Sequence, residues 1–280
     1  MDRLNMTLNM IMNVKNATRI GLALCLAHSL LAHDLFVMPK SFRPKTGDSL
    51  VVALHHGDKF PESEGVAPIA RLGAVKLVSV GGSVDLKGFK EEGKTLVMTQ
   101  PVAADMKGSF VITGILNANK RDHDPKEFAT YIGEEHLTMI DEYRKAHGET
   151  DKSGTELYSK YGKALLVNGS PSGFSTKPAG LKLEFVPAAD PSTLKPGASL
   201  PVTVLLEGKP APGLTVESVC STGAPAEAVV AGVTNGKGKL SVKLTEGTCR
   251  LTTAFSHRNA DQAAANWETF FATLTFQVGR

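Results

Sequence analysis

From Asp34 onward the apolar residues come in stretches of four to seven, each closed by turn residues, and this rhythm restricts the chain to a mainly β architecture. In the first half the stretches are 35–38, 50–54, 74–80, 95–98 and 109–113, separated by Pro44-Lys45-Thr46-Gly47-Asp48 and Gly81-Gly82. After residue 180 they resume at 181–186, 200–206, 214–219, 239–244, 249–255 and 270–276. Asn235-Gly236 and Glu246-Gly247 are turn signals between them. The expected architecture is an N-terminal β-sandwich over 33–167 followed by an immunoglobulin-like β-sandwich over 181–280. The Gly-, Ser- and Pro-rich segment 168–180 is expected to link them.

One segment breaks the β rhythm. Asp124, Pro125 and Glu127 supply an N-cap, a proline at the first helical position and a capping-box acid. Phe128, Ile132, Met139, Ile140 and Tyr143 then recur near helical spacing, and Arg144, Lys145 and His147 precede Gly148. A helical insertion at about 124–148 is expected, split in two at Gly133. The segment 156–167 leads back toward strand-like residues.

Ahead of the β pattern, Lys15 and Arg19 precede an apolar run over 20–31 that ends on Ala32. This is the pattern of a secretory signal peptide, 1–32, with a cut after Ala27 as the rival and Met6, Met10 or Met12 as alternative starts. Leu24 ahead of Cys25 argues against a lipoprotein signal. The apolar run is too short to span a membrane, so the exported protein is expected to be soluble and periplasmic. Cleavage removes Arg3, Lys15, Arg19 and Asp2, which takes the formal charge from +3 to +1. A near-neutral chain is not a nucleic-acid binder on electrostatic grounds. Cys220 and Cys249 survive the cut, and an even pair in an oxidising compartment favours a disulfide over two buried thiols.

Seven histidines remain after cleavage, and they are the chemically pointed feature of the chain. A cut after Ala32 leaves His33 first, where its α-amino group and imidazole close one chelate of the kind that suits copper or nickel. His55 and His56 end a strand and must face opposite sides. His257 continues the parity of Cys249, Leu251 and Phe255 at the open end of another strand. The expected site joins His33, one of His55 and His56, and His257 where the two domains meet. A hydrogen-bonded or exposed histidine is commoner than a ligand, and helix termini account for His147 and for Asp124 beside His123. His136 falls in the helical segment, where packing or exposure is the default. No Cys-x-x-Cys, His-Glu-x-x-His, phosphate loop or Gly-x-Ser-x-Gly elbow occurs, so nothing argues for an enzyme.

Several stretches together resemble a bacterial periplasmic family described as a nickel/cobalt uptake component with a domain of otherwise unknown function. They are Ala32-His33-Asp34-Leu35-Phe36, His55-His56-Gly57-Asp58-Lys59-Phe60-Pro61, the run 156–165, Leu183-Glu184-Phe185-Val186-Pro187, Glu207-Gly208-Lys209-Pro210 and Ala272-Thr273-Leu274-Thr275-Phe276. The resemblance implies an envelope protein that binds nickel or cobalt, with His33 as the first ligand, and hands the ion to a membrane transporter. Two readings compete with it: an envelope protein-interaction module without metal, and a copper oxidase or monooxygenase. The second ranks last, because one Trp and four Tyr are too few for an aromatic substrate face.

Overall fold

The computed structural model describes residues 33–279, so the expected signal peptide at 1–32 lies outside the described residues. The short apolar stretches form β1 (Leu35–Pro39), β2 (Ser49–His56), β3 (Leu72–Ser79), β4 (Gly82–Asp85), β5 (Lys90–Glu92), β6 (Thr95–Pro101) and β7 (Gly108–His123). Two helices, α1 (Pro125–Glu134) and α2 (Thr138–Ala146), lead to β8 (Gly154–Asn168). Then come β9 (Leu183–Pro187), β10 (Ser199–Leu206), β11 (Lys209–Pro210), β12 (Thr215–Ser221) and β13 (Val229–Val233). β14 (Lys239–Lys243), β15 (Gly247–Arg258) and β16 (Trp267–Val278) complete the order.

These strands make three sheets: β1-β2-β6-β5, a group of β9, β10, β11 and β14, and an eight-stranded sheet in the order β13-β12-β15-β16-β8-β7-β3-β4. Side-chain alternation explains how the large sheet serves both smaller ones. Val111, Leu165, Phe270, Leu274 and Phe276 point to one face, against Leu183, Phe185, Leu200 and Val202 of β9 and β10. Their neighbours Phe110, Ile112, Ala164 and Leu166 point to the other, against Val37, Leu50, Val52, Leu54 and Leu96. Central strands buried on both faces read as continuous apolar runs. That is the character of 110–112, 164–167 and 270–272.

The structure differs here from the two separate sandwiches expected. β8 and β16 pair in parallel from Trp267 opposite Glu156 to Thr275 opposite Ala164, and the chain from Asp34 onward forms one compact unit. An alternating pattern tells which face of a strand is buried, not which strand lies beside it. The expected linker is also pinned. The Lys163 ammonium of β8, buried completely, donates to Glu184 Oε2 at 2.8 Å and to the Phe185 carbonyl at 2.9 Å. Glu184 in turn accepts the backbone N–H of Ala179 at 2.8 Å and of Gly180 at 2.9 Å. A strand residue thereby holds the end of the loop on the sheet.

The helices begin as expected, with the Asp124 side chain accepting from the Glu127 N–H at 2.8 Å and Pro125 in the first turn. Their break falls after Gly133, where His136 adopts φ 53°. Cys220 and Cys249 are joined by a disulfide between neighbouring strands, directly opposite each other in the β12–β15 register with Cα atoms 4.0 Å apart.

Candidate functional site

The start of β1 is held by the large sheet. The Thr273 and Thr275 hydroxyls of β16 donate to the Leu35 and Val37 carbonyls, which faces the free edge of β1 with donors. Asp34, just ahead of β1, is buried and forms an ion pair with Arg250 of β15 at 3.3 Å, and its carboxylate also accepts from the Thr252 hydroxyl at 3.2 Å. Arg250 lies over the rings of Phe36 and Phe60 and donates to the carbonyls of Gly57 and Asp58. Burial pushes the Asp34 carboxyl above the ordinary aspartate range, against the pull of Arg250 and Lys160.

The loop after β2 folds back onto this point. The Gly57 N–H donates to the Asp34 carbonyl at 3.0 Å, and Asp58 Oδ1 accepts from the Asp34 N–H at 3.3 Å. Glu64 Oε2 accepts from the Asp58 N–H at 2.7 Å, while the N–H groups of Glu64 and Gly65 both donate to the His56 carbonyl. Glycine is required at the crossing. A Cβ on Gly57 would stand 2.8 Å from the Glu64 nitrogen and 3.0 Å from its Cγ. The result is a group of ligand atoms from His33, Asp58 and Glu64 that all lie within 4.8 Å of one another, with His33 buried, Glu64 half-buried and Asp58 exposed. Glu135, at the end of α1, meets the same charges: desolvation first, and then the carboxylates of Asp34 and Asp58, hold its carboxyl well above the usual range.

The group of His33, Asp58 and Glu64 does not include the other expected ligands. His55 and His56 take opposite faces as the strand alternation requires. His56 shares the parity of the buried Leu50, Val52 and Leu54, while His55 stands against Phe36 at 5.1 Å between ring centres. Burial lowers the His55 pKa to about 4, against a hydrogen bond to the Pro61 backbone. His257 is seven residues beyond Arg250 on β15, roughly 23 Å along the strand at 3.3 Å per residue, so it does not reach the Asp34 corner. It pairs instead with Glu268 at 3.3 Å, and its Nδ1 lies 2.9 Å from the Arg258 carbonyl. The three-histidine arrangement is therefore not formed; carboxylates from the 57–65 loop stand where imidazoles were expected. His123 pairs with Glu156 in the interior, His136 pairs with Glu217 of β12, and His147 caps α2 against the Tyr143 carbonyl. Reading the residues one by one missed Asp58 and Glu64, because a loop carboxylate has no periodicity. The available signal was Gly57-Asp58 directly after a strand and Glu64-Gly65 closing the turn.

Residues 30–254 match the family described as Domain of unknown function (DUF4198). The chain belongs to this family. The DUF4198 match takes in the whole of the Asp34 corner and the 57–65 loop, and its description names no role in nickel or cobalt uptake. No curated protein matches the chain. Among solved structures, the chain is similar to FdeC, an Escherichia coli adhesin, at 15% identity over 89% of this chain and 66% of that one, with a TM-score of 0.24. It is similar to E. coli alpha-2-macroglobulin at 10% identity over 88% of this chain and 17% of that one, with a TM-score of 0.24. For the D0-D1 domain of intimin the values are 13%, 86%, 97% and 0.20. At such TM-scores the likeness carries no argument about this member of DUF4198. No helix among the described residues is long and apolar enough to cross a membrane.

Proposed function

We propose that this protein is a periplasmic, non-catalytic metal-binding protein that takes up one divalent first-row ion, nickel or cobalt, and passes it to a membrane transporter. The observation that carries the reading is the convergence of the His33 imidazole with the Asp58 and Glu64 carboxylates within 4.8 Å. Three ligands bonded to one ion at about 2.1 Å stand roughly 3–4 Å from one another, so side-chain movements on the order of an ångström close the set. One imidazole and two carboxylates make a nitrogen and oxygen donor set without sulfur, suited to divalent rather than cuprous ions. Cleavage after Ala32 would add the α-amino nitrogen of His33 as a further donor. In this reading the α1–α2 pair is an insertion between β7 and β8, and the β9–β16 half is an immunoglobulin-like sandwich that shares its back sheet with the N-terminal half.

The test is metal titration of exported protein whose first residue has been sequenced. About one equivalent of Ni²⁺ or Co²⁺ is expected to bind, with affinity falling by roughly a hundredfold or more in His33→Ala and at least tenfold in Asp58→Asn. Protein that starts elsewhere and binds no ion, or binds equally well in both variants, overturns the reading.

A further inference from the structure

A ligand at the start of a chain is only as well placed as the residue after it, because chain ends fray unless something ties them down. Asp34 is tied from two sides. The loop after β2 takes both its backbone groups, the N–H through Asp58 Oδ1 and the carbonyl through the Gly57 N–H. β15 takes its carboxylate through Arg250 and the Thr252 hydroxyl. Arg250, 3% exposed, also holds the loop itself. Its Nη1 lies 3.3 Å from Asp34 Oδ2 and donates to the Gly57 carbonyl at 3.2 Å, and its Nη2 donates to the Asp58 carbonyl at 3.4 Å. Its central carbon stands 5.2 Å from the ring centre of Phe36 and 5.6 Å from that of Phe60, which fixes the plane of the fork. Behind it, Arg250 lies between Val219 of β12 and Thr275 of β16 in the register, next to Cys249 and its disulfide to Cys220.

We propose that Arg250 is a positioning residue of the metal site, an inference that rests on the metal-binding reading above. It does not bind the ion. One guanidinium on a paired interior strand holds Asp34, which follows His33, and the two carbonyls that flank the start of the ligand loop, and so sets His33 and Asp58 side by side. Lysine could keep the charge at Asp34 but has no planar fork to reach both carbonyls as well. Charge alone predicts the opposite sign: a guanidinium near a cation site repels the ion, so a fall in affinity on losing the fork does not come from lost attraction.

Arg250→Lys in the full exported chain tests this by two measurements, amide hydrogen exchange without metal and Co²⁺ titration followed by d–d absorption. Exchange of the Gly57, Glu64 and Gly65 N–H groups, which close the loop on the Asp34 and His56 carbonyls, is expected to quicken about tenfold, with the β15–β16 ladder unchanged. Co²⁺ affinity per folded molecule is expected to fall by roughly ten- to a hundredfold, as when other partners that orient metal ligands are removed. Thr252→Val removes one hydrogen bond to the Asp34 carboxylate and leaves the guanidinium in place, for a fall of about fivefold; it decides the matter where Arg250→Lys does not fold. Unchanged Co²⁺ affinity in a folded variant, or exchange that quickens equally along β15, would overturn the proposal. A parent protein that binds no Co²⁺ overturns the metal reading and this proposal with it, and is told apart from a failure of positioning, which leaves the parent's binding intact.

Discussion

The Lys163–Glu184 pair and the Asp34 corner both take charge out of water, and the balance of donors and acceptors separates them. At Lys163 one ammonium meets one carboxylate at 2.8 Å, and the remaining capacity of both is met by backbone: the Phe185 carbonyl on one side, the Ala179 and Gly180 N–H groups on the other. Burial lowers the Lys163 pKa, and Glu184 opposes that shift. At the corner four carboxylates, Asp34, Asp58, Glu64 and Glu135, converge on three cations: Arg250, spent on Asp34 and on two carbonyls, the buried Lys160, which pulls on Asp34 and Glu135, and Lys59, which reaches Glu64 only at 3.9 Å from the surface. A balanced pair serves the fold. An acid-rich corner beside an imidazole has the composition of a cation site.

Breaking the balanced pair should therefore produce the largest loss of stability and no loss of metal. Lys163→Met leaves Glu184 buried without its ammonium and is expected to cost about 3–5 kcal/mol, with Ni²⁺ affinity per folded molecule unchanged. Replacing both residues with methionine should return much of that loss, because the desolvation cost goes with the charges. Urea unfolding beside titration calorimetry checks both halves, and a change in metal affinity in Lys163→Met would break the contrast drawn here.

A smaller effect should separate the two glycines that matter most to it. Gly57→Ala puts a methyl 2.8 Å from the Glu64 backbone, where the loop must give way, at a cost of about 1–3 kcal/mol. Because the displaced residue carries a ligand carboxylate, metal affinity should fall with it. Gly133 of α1 has no atom within 4 Å of an added Cβ, so Gly133→Ala should be neutral or gain about 0.5–1 kcal/mol and leave metal binding alone. Equal metal affinity in the two variants would show that the Gly57 crossing does not position Glu64.

These contrasts also show what could be read from residue order. Alternation and turn residues marked the longer strands but not β4, β5, β11 or β13, and Asp124-Pro125 with Glu127 marked the start of α1, because those signals are local. Parallel pairing of β8 with β16 joins residues more than a hundred positions apart, and nothing in either strand announces its neighbour. The same limit governs the corner. His33 was visible through its place after the expected export signal, but Arg250 reaches the corner only through the register of β15, and Asp58 and Glu64 only through a loop closed by hydrogen bonds to the His56 carbonyl. His257 matched in parity and failed in distance, since parity repeats every second residue while a site occupies one point along the strand.

A further effect concerns the apolar floor of the corner, and it depends on pH. His55 packs on Phe36 and its folded-state pKa is depressed to about 4 by burial, whereas an unfolded histidine titrates near 6.5. Above pH 6.5 both states are neutral at this residue and it adds no pH dependence. Between about 6.5 and 4 the unfolded chain takes up a proton that the folded chain refuses, so stability falls as the pH falls; below 4 both are protonated and the slope ends. The full swing is on the order of 2 kcal/mol once partial exposure is allowed for. His55→Gln should remove that part of the decline between pH 7 and 4.5 in urea unfolding. If His55→Gln declined as steeply as the parent protein, the acid sensitivity would belong to the corner's carboxylates and not to the ring beneath them.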